Sequence, residues 1–207
     1  MFDKRHKNYR QCGFSYVETV MALVVGSIVT AMAIPASQGI LQKIRSNGDA
    51  REVSGSIALA KLRAAAAFTH ARVYADRDAK TIQLQIWDRS GGGAWVTEGP
   101  VQSLASGVSF GYGSLTTPPA NTQASLSQAP TCQTDAETNA NSAGTITGTS
   151  CVIFNSRGTP VDNTGTATGN YALYVTDLSS IYGVTVSATG VVRTWRTDIR
   201  AANWARR

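Results

Sequence analysis

The stretch from Phe14 to Ile34, FSYVETVMALVVGSIVTAMAI, decides the class of this chain. It carries a single charged residue, Glu18. At about 1.5 Å per residue, a helix of this length covers the ~30 Å hydrocarbon core of a bilayer. The sequence therefore predicts a transmembrane helix over residues 14–34.

The residues before this stretch are basic, with Lys4, Arg5, Lys7 and Arg10 against one acid. Because cytoplasmic flanks of membrane helices are rich in Lys and Arg, residues 1–13 are predicted to be a cytoplasmic leader. The remaining residues, 35–207, are then a periplasmic domain on a single-pass anchor in the cell inner membrane. A chain of 207 residues is long enough for one such domain with a real core.

Glu18 is the anomaly of the apolar stretch, because a carboxylate at that depth costs about 2–3 kcal/mol or more unless it is paired. If the chain is cut between Gly13 and Phe14, the new α-amino group lies four residues from Glu18. A neighbouring subunit offers the same positive group. We therefore expect Glu18 to pair with a second subunit.

The run Gly13-Phe14-Ser15-Tyr16-Val17-Glu18, an apolar helix and then Pro35, resembles the class III signal of type IV pilins and pseudopilins. The resemblance implies that a prepilin peptidase cuts between Gly13 and Phe14, with methylation of the Phe14 amino group. It also implies that Glu18 pairs with a neighbour's N-terminus during assembly, and that Pro35 marks a kink. This chain has Ser-Tyr-Val where the family usually has Thr-Leu-Ile.

Two simpler interpretations compete with this one. The small-x-small triplet Ala31-Met32-Ala33 is similar to an ordinary secretory cleavage site, which would release the domain after Ala33. An uncleaved single-pass anchor explains the apolar length and the basic flank. Neither alternative explains Glu18.

The chain after Pro35 is predicted to be α+β, with a long helix packed on an antiparallel sheet, as in type IV pilins. The pattern is helical to about Tyr74, with apolar residues on one face: Val53, Ile57, Ala60, Ala64, Ala67 and Ala71. Alternation then predicts a hairpin from Ile82–Ile86 through the glycines 91–93 to Ala94–Val96. Further strands are predicted at Val108–Tyr112, Cys151–Asn155, Tyr171–Thr176, Tyr182–Ser187 and Val191–Trp195.

Residues 113–150 form a polar loop rich in Thr, Ser, Asn and Gln. A loop of this length is typically functional, partly disordered or an unstructured insertion. Cys132 and Cys151 are the two cysteines that remain if the leader is removed, and an even pair in an exported domain favours a disulfide. The bridge would contribute roughly 3 kcal/mol; the alternative is two unpaired thiols.

Two later stretches indicate which branch of this family the chain resembles. Ile153-Phe154-Asn155-Ser156-Arg157-Gly158 and the segment from Val184 to Gly190 and Arg193 resemble the GspH/FimT branch of pseudopilins and minor pilins. The branch implies a low-abundance structural subunit of a type II secretion system pseudopilus or a type IV pilus. Its partners would be other pilins or pseudopilins, the prepilin peptidase and an inner membrane assembly platform.

The C-terminal tail combines Trp195 with a set of arginines: Arg193, Arg196, Arg200, Arg206 and Arg207. Such charge beside aromatic rings is a possible DNA-binding surface. Some FimT-type minor pilins bind DNA for natural transformation through a Gly-Arg-x-Arg motif. The matching residues are Gly190-Val191-Val192-Arg193, so Val191 replaces the first arginine of the motif and only the second arginine, Arg193, is present. The alternatives are a solvated strand edge that resists aberrant pairing, and contact with anionic lipid headgroups.

No enzyme is predicted. His6 lies in the leader and His70 among alanines, without a Cys or Ser motif beside it. The sequence also shows no metal-ligand spacing, P-loop or dinucleotide-binding glycine pattern. We therefore expect neither a catalytic residue nor a metal or other cofactor.

Overall fold

The computed structural model describes residues 13, 15–90, 93–134 and 144–207. The chain divides into two units, Met1–Leu41 and Gln42–Arg207. Apart from Gly13, the predicted leader lies outside the described residues, and so do Phe14, two of the three hairpin glycines and part of the polar loop.

One helix, α1 (Tyr16–Ala66), accounts for the helical part of the described residues. Glu18 lies in its first turn and Arg63 in its last, so both charges complement the helix dipole. Pro35 lies within α1, and the kink expected there stays a prediction.

The prediction that the helix continues to about Tyr74 is wrong. Phe68 has a left-handed backbone (φ 50°), and its neighbour Thr69 donates its N–H to the Ala64 carbonyl at 3.2 Å, which ends the helix. Ala71, which the sequence predicts on the helix, lies in a strand and is buried there.

The strands form two antiparallel five-stranded sheets and one small hairpin. The first sheet has the order β3-β2-β1-β7-β8, with strands β1 (Ala71–Asp76), β2 (Thr81–Asp88), β3 (Ala94–Ser103), β7 (Thr149–Phe154) and β8 (Pro160–Val161). The second has the order β12-β11-β10-β9-β4, with strands β4 (Ser109–Phe110), β9 (Tyr171–Thr176), β10 (Ser180–Val186), β11 (Val192–Asp198) and β12 (Ala201–Arg206). The hairpin pairs β5 (Cys132–Gln133) with β6 (Thr145–Ile146).

The α+β class and the antiparallel pairing are confirmed, whereas the single sheet is replaced by two. The predicted β2–β3 hairpin forms, and the other predicted strands correspond to β4, β7, β9, β10 and β11. The sequence predicts Val191–Trp195 as the final strand, but β12 follows it and forms the edge of the second sheet.

The main core lies between α1 and both sheets. Val53, Ile57, Ala60 and Ala64 of α1 are fully buried, as their spacing predicts. Ala67, which the same spacing places on this face, lies after the end of α1 and is exposed. Burial of one Val or Ile side chain stabilises the fold by about 1.5–3 kcal/mol. The alanines on this face have short side chains, which allows a strand to approach the helix backbone closely.

In the part of the chain that the structure describes, no helix combines the length and the apolar character needed to cross a membrane. The transmembrane helix predicted at residues 14–34 therefore has no support from the structure.

Candidate assembly surfaces

The N-terminal unit exposes apolar side chains along α1. Those exposed include Tyr16, Val17, Val20, Met21, Leu23, Val24, Val25, Ile28, Val29, Ile40 and Leu41. An apolar surface of this extent marks an interaction site in proteins, because leaving it in water is unfavourable. Glu18 is exposed among these residues.

Of the residues predicted for processing and assembly, Gly13 and Glu18 are exposed. An exposed Gly13 is compatible with a cut at the following bond, and Phe14 lies outside the described residues. The pairing of Glu18 is a contact between subunits and stays a prediction.

The face of α1 opposite the core, within the Gln42–Arg207 unit, forms a second exposed surface. It carries Ile44, Leu59 and Leu62, whose side chains are 62%, 47% and 66% exposed. Gly48 and Gly55 lie on the same face, and a Cβ added at either would meet no atom within 4 Å. We call these five residues the outer stripe. Glycine weakens an exposed helix, and nothing within the described residues requires it here, so the outer stripe suits close packing against another helix.

The buried side of α1 carries polar groups that hold loops of the sheets. Ser46 Oγ donates to an Asp177 carboxylate oxygen at 2.6 Å, and Asp49 accepts the Ala105 N–H at 3.0 Å. Burial raises the pKa of Asp177, but hydrogen bonds from Ser46, Ser180 and Ser179 outweigh it and keep that pKa below its usual value. The helix and the β9–β10 turn are therefore joined by an ionised carboxylate.

The two C-terminal stretches that carry the family resemblance meet at α1. Gly158 (φ 71°) and Gly190 (φ 73°) both lie in left-handed turns, and Lys61 Nζ donates to the Gly190 carbonyl at 3.0 Å. A Cβ on Gly190 would approach the Gly158 carbonyl oxygen to 2.8 Å. The motif glycines therefore serve packing, since they let two turns and a lysine occupy one site.

The predicted disulfide between Cys132 and Cys151 forms, with a Cα–Cα distance of 5.0 Å. The described part of the polar loop is fastened to β9 as well. Gln128 receives the Tyr174 N–H at 2.8 Å and donates to the Tyr174 carbonyl at 2.9 Å, while Gln123 accepts the Tyr174 hydroxyl proton at 2.8 Å. An unstructured insertion is therefore the wrong description of residues 113–134.

The arginines of the tail do not form one cluster. Successive side chains of a strand point to opposite faces, and β11 places Arg193 and Trp195 on one face and Arg196 on the other. Arg196 lies over the Tyr182 ring, 5.7 Å from its centroid, and donates to Ser180 Oγ at 3.3 Å.

The remaining tail arginines lie elsewhere on the hairpin. Arg206 pairs with Trp195 across β11 and β12 and shares its face, Arg200 lies in the exposed turn between the strands, and Arg207 follows β12. Trp195 donates its indole N–H to Thr185, and Trp204 donates to the Thr117 carbonyl. The tail therefore places Arg193 and Arg206 on one face, whereas Arg200 lies in the turn at the other end of the hairpin.

Among the described residues, no group of His, Cys, Asp and Glu side chains is arranged to hold a metal ion.

The chain is similar in fold to two solved structures of the minor pseudopilin EpsH from the type II secretion system of Vibrio cholerae. In one, the identity is 12% and the TM-score 0.41, with 72% of this chain and 95% of the other covered. In the other, the identity is 14% and the TM-score 0.43, with coverages of 73% and 94%. No protein-family model and no curated protein sequence matches this protein. Similarities of this size establish neither an activity nor a partner.

Proposed function

We propose that this protein is a minor pilin or pseudopilin, a structural subunit of a type II secretion pseudopilus or a type IV pilus. The observation that carries the proposal is the distribution of buried and exposed apolar side chains around α1. One face of its later part is fully buried by two sheets, whereas its N-terminal part and the outer stripe expose apolar side chains. A helix of this kind belongs in a bundle with the helices of other subunits.

The maturation of the subunit is proposed from the residues around Gly13. A prepilin peptidase would cut between Gly13 and Phe14 and methylate the new amino group, after insertion of residues 14–34 in the inner membrane. The domain of residues 35–207 would then be periplasmic until an assembly platform adds the subunit to the filament. The exposure of Gly13 supports access to the bond, and the membrane stage rests on the sequence alone.

Glu18 provides the test of this role. In cells that build the filament, Glu18→Gln keeps the size of the side chain and removes the charge that would pair with a neighbour's N-terminus. We expect much less of the variant in sheared filaments, at unchanged cellular level. Glu52→Gln is the matched control, because Glu52 is exposed on the same helix.

Two results would contradict the proposal. One is normal incorporation of the Glu18→Gln protein. The other is a mature N-terminus, read by mass spectrometry, that does not begin at Phe14. A start at Ile34 would instead indicate a secreted domain released by an ordinary signal peptidase.

A DNA-binding minor pilin for natural transformation is the second candidate, favoured by Arg193 and Arg206 on one face of the β11–β12 hairpin. We expect the affinity for single-stranded DNA to fall steeply with salt and to weaken in an Arg206→Gln/Arg207→Gln protein. Arg157→Gln is the control, since Arg157 is exposed on another turn. If the protein does not bind DNA at low salt, the DNA-binding candidate is excluded and the structural role remains.

A further inference from the structure

A cleft of about 520 Å³ lies between the ends of the two sheets in the Gln42–Arg207 unit. Arg77, just after β1, and Ser150, in β7, line one wall. Phe110 of β4 and Tyr112 line another, and Gln128 and Ala129 of the polar loop complete it. The volume is in the range of small-molecule and peptide sites.

The walls of this Arg77 cleft are held in place by backbone hydrogen bonds. The Arg77 N–H donates to the Gly148 carbonyl at 2.8 Å, and the Cys151 N–H donates to the Pro130 carbonyl at 2.8 Å. Gly111 donates to the Tyr174 carbonyl at 2.9 Å, and the disulfide joins the two segments beside Pro130 and Ser150. The cleft is therefore preorganised, which lowers the entropic cost of binding.

Two polar atoms in this lining lack hydrogen bonds. Arg77 Nε and Ser150 Oγ are both buried, and neither has a hydrogen-bond partner among the residues that the structure describes. Ser150 as a whole is only 1% exposed. Buried donors without acceptors are uncommon in proteins because each loses its hydration without compensation. Both atoms are covered by protein, so a ligand in the cleft would meet the exposed part of the half-buried Arg77 side chain instead.

The charge of the lining suits a carboxylate. A guanidinium binds a carboxylate with paired, charge-assisted hydrogen bonds, and Arg77 lines the cleft with that group. Arg77 is the only cationic residue among the described residues of the lining. Phe110 and Tyr112 offer apolar surface to a neighbouring side chain.

We propose that the Arg77 cleft binds a carboxylate of an extended peptide, with Arg77 as the group that holds it. The carboxylate has two possible sources, the C-terminus of a polypeptide or an acidic side chain. The proposal does not depend on the filament role, because it rests on the cleft alone.

The test is titration of the full-length protein, kept in solution by a mild detergent, with three short peptides monitored by NMR. The probes are N-acetyl-Ala-Ala-Phe with a free carboxylate, the same peptide as its C-terminal amide, and N-acetyl-Ala-Asp-Phe-amide. We expect shifts at Gly111, Gly113 and Ser150 with a carboxylate-bearing probe and none with the uncharged amide. If the first probe binds and the third does not, the site binds a C-terminal carboxylate. If the third probe binds, the site binds an acidic side chain.

Variants decide whether Arg77 holds the ligand. Arg77→Gln should weaken the carboxylate probe about tenfold or more, whereas Ser150→Ala keeps the charge and should bind like the unchanged protein, because Ser150 Oγ is not exposed to the cleft. Arg157→Gln should bind like the unchanged protein. Preserved NMR dispersion in each variant shows that it folds.

Three results with the peptide probes would overturn the proposal. They are no shift with either carboxylate probe at about 10 mM, equal binding of the uncharged amide, and unchanged affinity in a folded Arg77→Gln protein. Inorganic phosphate that binds as tightly as the peptides and shifts the same residues would also overturn it, because the site would then select anions and not peptides.

Discussion

Replacement of Gly48 and Gly55 by alanine should make the free subunit more stable and its assembly worse. Both glycines lie on the outer stripe, where an added Cβ meets no atom within 4 Å. Alanine is more favourable than glycine by about 1 kcal/mol at each exposed helical position. The two sites are about 10 Å apart along the helix, so their effects should add.

The double variant is therefore expected to gain about 1–2 kcal/mol in free energy of unfolding, and its Tm should rise by roughly 2–8 °C. Urea titration followed by circular dichroism measures the gain. Gly107→Ala is the matched contrast, because Gly107 has φ 84° and its Cβ would approach Gln42 Nε2 to 2.6 Å. That variant should lose about 1–2 kcal/mol.

Assembly provides the second measurement. If the outer stripe packs closely against another helix, two added methyl groups separate the backbones, and less of the variant should appear in sheared filaments. A double variant that is more stable and also assembles normally would refute the role given to the outer stripe. A variant that is not stabilised would refute the claim that nothing within the subunit needs these glycines.

Three further outcomes are expected in urea titrations. Joint replacement of Cys132 and Cys151 by serine should cost about 3 kcal/mol, and a reducing agent should lower the stability of the unchanged protein by a similar amount. Gly190→Ala should cost at least about 1–2 kcal/mol, because its left-handed backbone and the nearby carbonyl oxygen both oppose a Cβ. Asp177→Asn should be destabilising near neutral pH. Since the folded pKa of Asp177 is lowered, its contribution is present above the ordinary pKa of about 4 and is lost as pH falls through the folded value, so the gap between the two proteins should close on acidification.

The periodicity of the sequence predicts the buried face of α1 because Val53, Ile57, Ala60 and Ala64 repeat at helical spacing and all contact the core. The same spacing continues to Ala71, which is buried from β1. Periodicity alone could not place the end of the helix, since a strand can bury that alanine equally well. Phe68, the left-handed residue that ends it, is not a residue type that signals a helix end.

The spacing of the arginines in the basic tail indicates which face of a strand each one occupies. Arg193 and Arg196 are three residues apart, a spacing that places side chains on opposite faces of a strand. A strand at Val191–Trp195 that continues to Arg196 therefore already excludes a single basic cluster. The contact of Arg196 with Tyr182 depends on the pairing of β10 with β11, which no local pattern encodes.

Composition and local spacing were enough to predict the apolar N-terminal stretch, the α+β class, the buried face of the helix and the cysteine pair, because each depends on one segment or on residue type. The division into two sheets, the meeting of Gly158 with Gly190 over Lys61, and the Arg77 cleft became visible only in the folded chain. These features join residues far apart in the sequence. Their geometry follows from which strands pair and which loops pack together, and the free energy of such contacts depends on the whole fold.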